Sequence, residues 1–262
     1  QKDRGSSFLP VVPASFWAQL EKAQADMQPM QSIWSNGGKA GGSFASPLAV
    51  LGQSVLASSS DNNLYGFYVE VGNQSWKFDL QASTNWAPAI QDDLIYLAYG
   101  RTITAVRVYA SAYEWQRTLD ADATTPFTIW LDSLFIGVGE GGDAKLVAIR
   151  RLNPDDRKEF GAPTSRIQLP AIGQETLFVG ADKLWAVDIN FWDGTENGPE
   201  IIWENNEILN ISAPPVYSSP GVVRLSELYA VDGAGVVHAV DANTGVRFLP
   251  PFNPGGTVTA LA

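Results

Sequence analysis

One pattern returns five times along this chain: a proline, a short apolar run, a second apolar run, and a third run with Gly or Ala at its centre. The third runs are Leu64-Tyr65-Gly66-Phe67-Tyr68-Val69, Ile103-Thr104-Ala105-Val106-Arg107-Val108, Leu146-Val147-Ala148-Ile149-Arg150, Leu184-Trp185-Ala186-Val187-Asp188-Ile189 and Val237-His238-Ala239-Val240-Asp241-Ala242. Their first residues recur about every 40 to 50 positions, the period of a repeated supersecondary unit rather than of one continuous sheet. The prolines Pro47, Pro88, Pro126, Pro170 and Pro215 stand at the start of each unit, where a residue without a ladder donor belongs at the head of a strand. Each unit then ends on a fourth run with a large aromatic, Trp76, Trp115, Phe160, Trp203 or Phe248.

Four short antiparallel strands in roughly 40 residues is the pattern of a β-propeller blade. Blades pack face to face, so one position per blade lies where the next sheet approaches closest, and only Gly or Ala leaves room there. The fourth-strand aromatics are expected to dock against the adjacent blade. The expected fold is all-β: a single propeller domain over residues 1–262, with five blades in 44–254. Residues 255–262 read as a closing strand that joins residues 1–43 in a sixth blade. In that reading Phe16-Trp17-Ala18 matches Leu184-Trp185-Ala186, and Ile33-Trp34 matches Ile202-Trp203. The other reading of the N-terminal segment is a helix over residues 16–27 capped by Ser15, whose composition suits one.

Composition narrows the chemistry. The 262 residues are 45% hydrophobic, enough for a substantial core, and no apolar run approaches the length of a membrane span. A net charge of −11 argues against nucleic-acid binding. With no cysteine, disulfides and thiolate sites are excluded, and the single histidine, His238, shares its repeat position with Tyr65, Thr104, Val147 and Trp185, which marks it as a packing residue. Asp188, Asn190 and Asp193 have oxygen side chains at calcium-loop-like spacing but lack the full loop and its terminal Glu. Asp241-Ala242-Asn243-Thr244-Gly245 is explained as a hairpin turn. No cofactor is assigned.

Trp86, Trp130 and Trp192 fall outside the repeat. Residues 190–200 and 152–158 read as long loops at the same strand 3 to strand 4 connection of adjacent blades, so they emerge on one face. Trp192, Asp193, Glu196, Asp155 and Asp156 in these loops form the candidate contact surface.

The segment from Leu228 to Phe248, with Tyr229-Ala230-Val231-Asp232-Gly233 and Asp241-Ala242-Asn243-Thr244-Gly245 inside it, resembles the pyrroloquinoline-quinone (PQQ) enzyme repeat. Asp61-Asn62-Asn63-Leu64-Tyr65-Gly66 through Trp76 is a looser copy. The resemblance covers roughly residues 44–262 and concerns blade packing. Members include quinoprotein dehydrogenases and the propeller lipoprotein of the bacterial outer-membrane assembly machine. The enzymes usually have eight blades, a vicinal cysteine pair and a calcium site, so for this cysteine-free chain the resemblance implies a non-catalytic binding or scaffold module. Its partner would be a protein or small molecule, and its place the periplasm, the cell surface or outside the cell. The alternatives are a PQQ- or metal-dependent oxidoreductase and the extracytoplasmic sensor domain of a larger receptor.

Overall fold

The structure is a computed structural model that describes residues 38–108, 110–190, 199–219 and 226–258. Its nineteen strands form five antiparallel sheets, each one blade. Blade 1 is β1 (Ala49–Leu51), β2 (Ser54–Ser59), β3 (Asn63–Tyr68) and β4 (Gln74–Asp79), and blade 2 is β5 (Ala89–Gln91), β6 (Leu94–Tyr99), β7 (Thr102–Arg107) and β8 (Ala112–Thr118). Blade 3 is β9 (Thr128–Trp130), β10 (Ser133–Val138), β11 (Lys145–Arg150) and β12 (Asn153–Phe160). Blade 4 is β13 (Ala171–Gly173), β14 (Thr176–Gly180), β15 (Leu184–Asp188) and β16 (Ile201–Asn205). Blade 5 holds β17 (Val216–Ser218), β18 (Glu227–Val231) and β19 (Val237–Asp241), and single bridges from Val240 to Arg247 and Val237 to Phe252 stand in for its fourth strand. The predicted prolines all sit one or two residues before a first strand. First strands of neighbouring blades touch, β1 with β5, β5 with β9 and β13 with β17, so they form the inner side of the arc.

The core lies between blades. Leu56, Leu64 and Phe78 of blade 1 meet Ile95, Leu97 and Val106 of blade 2. Tyr96, Ala105 and Trp115 meet Leu134, Ile136 and Val147 of blade 3; Phe135, Ala148 and Phe160 meet Leu177, Trp185 and Val187 of blade 4; Phe178, Leu184 and Ala186 meet Leu228, Ala230 and Val240 of blade 5. A middle strand therefore buries both of its faces, and β6 and β10 are buried at every position. That is why these strands read as continuous apolar runs instead of an alternation.

The small residues Ala105, Ala148 and Ala186 pack with the following blade, and the side chain opposite each comes from its own sheet. Gly66 pairs with Trp76, Ala105 with Trp115 and Ala186 with Trp203. A Cβ on Gly66 would lie 2.9 Å from Ser75 Oγ and 3.0 Å from Leu56 Cδ2. Immediately beyond each of these pairs the ladder slips, between Gly66 and Phe67, Ala105 and Val106, and Ala186 and Val187. The residue before the tryptophan is thus the extra one of a β-bulge, which bends the outer strand and re-aims the ring. Each indole then crosses the seam. Trp76 Nε1 donates to Ser111 Oγ at 2.9 Å, Trp115 Nε1 to the Arg151 carbonyl at 2.8 Å and Trp203 Nε1 to the Ala242 carbonyl at 2.9 Å.

Blade 3 departs from the expectation. Lys158, not Phe160, lies opposite Ala148, and Phe160 pairs with Leu146. Phe160 still reaches blade 4, edge-on to Trp185 at 6.2 Å between centroids. Residues 152–158 are not a long loop either: Asn153–Phe160 is strand β12. Its ladder jumps from Ile149 opposite Arg157 to Arg150 opposite Asn153, so Pro154, Asp155 and Asp156 form one large bulge.

Of the expected closing blade, residues 1–37 and 259–262 lie outside the described residues. Residues 38–44 run across the face of blade 1 that points away from blade 2, with Phe44 bridging antiparallel to Ser59. Gly38 N–H donates to the Gly72 carbonyl at 2.7 Å, Gly41 N–H donates to Tyr65 Oη at 3.0 Å, and Phe44 lies edge-on to Phe67 at 5.8 Å. A Cβ on Gly38 would fall 2.7 Å from the Gln74 nitrogen, so that close approach requires glycine. Residues 255–258 form no strand, and the Gly256 carbonyl lies beside Gly235.

His238 is a packing residue with a polar anchor. Its Nε2 lies 2.8 Å from Asp232 Oδ2, while Asp232 Oδ1 accepts the N–H groups of Ala234 and Val236. Blade 1 repeats the device, with Tyr65 Oη donating to Asp61 Oδ2 at 2.6 Å. Partial burial pushes the Asp232 carboxyl up, but the His238 ring and the two N–H groups outweigh it and hold the group below its ordinary value.

Two outcomes follow. Ala186→Leu is expected to lower stability by roughly 1–3 kcal/mol through overpacking against Trp203 and blade 5, read as a denaturant midpoint; an unchanged midpoint contradicts the seam. Because the Asp232 carboxyl is depressed in the folded state, its contribution is complete above the unfolded value of about 3.9 and is lost as pH falls through the lower folded value. The melting-temperature gap between wild type and Asp232→Asn should therefore be widest near neutral pH and narrow below pH ~4, and a gap constant down to pH ~3 rules out the clamp.

Candidate interaction surface

Antiparallel blades stacked in one sense give the molecule two different ends. Among the described residues, the turns between the first and second and between the third and fourth strands of a blade emerge at one, the turn end; the turns between second and third strands and the interblade linkers lie at the other, the linker end. The linker end is tied by side chains that bond main chain across seams. Arg166 Nη2 donates to the Thr124 carbonyl at 3.1 Å, and Gln168 Nε2 to the Ile211 carbonyl at 3.2 Å. Trp86, one of the tryptophans outside the repeat, lies there with the Arg166 guanidinium 5.9 Å from its ring centre. A shallow hollow of about 490 Å³ bordered by Asp122, Glu140, Asp143 and Arg166 adjoins it. Trp130 is in β9 and packs on the seam between blades 3 and 4.

The turn end is where the predicted residues belong, and the structure treats them unequally. Trp192, Asp193 and Glu196 lie outside the described residues. Asp155 accepts Arg117 through both oxygens, at 2.6 and 2.7 Å, so it ties the blade 3 bulge to the outer strand of blade 2. Arg117 holds its carboxyl below the usual range. Asp156 lies 3.8 Å from Arg150. Asp188 ends β15 and accepts the Asn190 N–H at 2.8 Å, a local turn bond. Among the described residues no three His, Cys, Asp or Glu side chains converge as a metal site would require.

Two features of this end were not anticipated. First, the last residue of a third strand is arginine in two blades, and each reaches back to the turn between its blade's first and second strands: Arg107 bonds Asp93 at 2.5 Å, and Glu114 of β8 at 2.9 Å, and Arg150 bonds Asp132. Arg151 adds a bond to Asp92 of blade 2 at 2.7 Å. Second, large apolar side chains stand exposed on the turns: Val71 in blade 1, Leu131 and Leu152 in blade 3, Ile201 and Ile202 at the start of β16, and Val246 in blade 5. The arginines were visible in the sequence as Arg107 and Arg150 at matching repeat positions. The exposed residues had no signal, because an apolar residue beside a strand reads as part of it.

The sequence pattern of the outer membrane protein assembly factor BamB family matches residues 31–191. No curated protein matches the chain. Among solved structures, BamB from Moraxella catarrhalis aligns with a TM-score of 0.55 at 17% identity, covering 86% of this chain and 78% of that one. The computationally designed protein Ika8 aligns with a TM-score of 0.65 at 12% identity over 83% of this chain, which spans 64% of the designed chain. At such identities the structural likeness speaks for the fold, a propeller of four-stranded blades. The family match covers more than half of the sequence, and the chain belongs to the outer membrane protein assembly factor BamB family.

Proposed function

We propose that this protein is a non-enzymatic scaffold propeller that binds a protein partner through its turn end, in the periplasm or at the cell surface. The observation that carries the reading is the set of exposed apolar side chains at the turn end, Val71, Leu131, Leu152 and Val246 on turns and Ile201 and Ile202 at the start of β16. Buried apolar residues in the seams are demanded by the fold; exposed apolar residues on turn tips are not, and they are the material from which contact surfaces are made. The guanidinium groups beside them are engaged by carboxylates of the same chain, which suits a protein surface better than a polyanion. The family, named for outer membrane protein assembly, supports a partner-binding role and an extracytoplasmic setting, and among the described residues no helix is long and apolar enough to cross a membrane.

The chain has no cysteine, so a single introduced one reports on one end. Val71→Cys and Val246→Cys, carrying a short bifunctional crosslinker in cells, are expected to yield adducts with another protein, and Asp143→Cys at the linker end is not. Adducts from Asp143→Cys alone would move the contact to the opposite end. The oxidoreductase alternative is checked by titrating PQQ with calcium: the quinone absorbance is expected to stay unchanged and alcohols and sugars to remain unoxidised, whereas a saturable shift with turnover would replace the scaffold reading.

A further inference from the structure

Leu131 sets blade 3 apart. The four complete blades join their first and second strands with a two-residue turn, and the first turn residue has a positive φ each time: Gly52 at 57°, Asp92 at 57°, Leu131 at 51° and Gln174 at 49°. Glycine accepts that region at no steric cost and Asp is tolerated there, whereas Leu131 and Gln174 are strained; among the described non-glycine residues with positive φ, Leu131 is the only apolar one. Leu131 is nevertheless 70% exposed, so packing does not compensate for its backbone. On the neighbouring turn of the same blade, Leu152 is 68% exposed. The two turns are joined by the Arg151 N–H donating to the Asp132 carbonyl at 2.8 Å and by the pairing of Ser133 with Arg150. Single exposed leucines are ordinary. A strained one beside a second, on turns bonded together, is a backbone outlier of the kind that accumulates at binding sites.

The surroundings define the partner. On the turns of blades 2 and 3, Arg107, Arg150 and Arg151 are shared among Asp92, Asp93, Glu114, Asp132 and Asp156. Each arginine is matched and carboxylates remain in excess, and exposed Glu175 on the next blade's turn adds to them. Two apolar knobs inside an acidic collar complement apolar side chains flanked by Lys or Arg.

Resting on the scaffold reading, we propose that Leu131 and Leu152 are the anchor of the contact, and that the occupant is a segment of another protein with apolar residues flanked by basic ones.

The test uses Leu131→Gly/Leu152→Ser in the full chain and a phage-displayed random peptide library as the probe. Leu131→Gly relieves the backbone, so its denaturant midpoint should be no lower than that of wild type; a lower midpoint makes the leucine structural and overturns the assignment. Peptides selected on wild type should carry an aliphatic or aromatic residue beside Lys or Arg. They should bind the double variant at least ~10-fold more weakly, the loss of about 1.4 kcal/mol expected of a modest hot spot, and weaken with added salt. Equal binding to the double variant, acidic consensus peptides, or no enrichment over counter-selection on that variant each overturn it. Self-association of the wild type that disappears in the variant overturns it in favour of a homodimer. If Val71→Cys still crosslinks in cells while peptide binding ignores the leucines, the anchor falls and the turn-end reading stands.

Discussion

The structure depends on one bond made three times: the indole N–H of an outer-strand tryptophan reaching over a seam to the segment that follows the next blade's third strand. A blade of short strands has no interior of its own and becomes stable only when both of its faces are covered. The apolar clusters accordingly lie between blades, and apolar contact is non-directional. The indole bond supplies direction by fixing how far one sheet rotates over the next. It exists because a small residue leaves the ring a place to lie and a bulge turns the ring outward. The three features are one device, which is why they recur together, and stability divides among nearest-neighbour seams as in other repeat proteins.

That coupling also explains what could be read in the sequence. Blade order, strand-leading prolines and small third-strand residues were legible because each answers to a local steric demand. The partner of Ala148 was not. Strand reasoning counts residues in twos, and an inserted bulge breaks the count without changing composition. In blade 3 the bulge takes up Pro154, Asp155 and Asp156, whose turn-forming chemistry made the start of strand β12 look like a loop, although Phe160 still docks on blade 4. The same masking applied at the turn end. Val71, Leu131 and Val246 flank strands, and their exposure depends on where each turn closes.

The two ends answer to different requirements from the seams. Seam residues are fixed by the neighbouring blade and vary only within volume limits. Some turn residues, such as Ser111, Arg151 and Asp155, bond the adjacent blade, while the side chains at the turn tips are left free to serve contact. At the linker end that freedom is partly spent on the fold, since Arg166 and Gln168 bond main chain of adjacent linkers. At the turn end the arginines bond carboxylates and leave the apolar tips standing clear.

Rigidity connects the seam device to the contact surface. Arg151 is held from three directions: its carbonyl accepts Trp115 Nε1 at 2.8 Å, its N–H donates to the Asp132 carbonyl at 2.8 Å, and its guanidinium bonds Asp92 at 2.7 Å. Leu152 is the next residue. Leu131 sits one residue before Asp132, in the turn that Arg150 and Arg151 both grip. Ordering a mobile loop would cost a partner roughly 0.5–1.5 kcal/mol for each side chain immobilised. Here the backbone beneath both leucines is already ordered by the bonds that align blades 2 and 3, so the interaction that builds the propeller also sets the geometry of its proposed anchor.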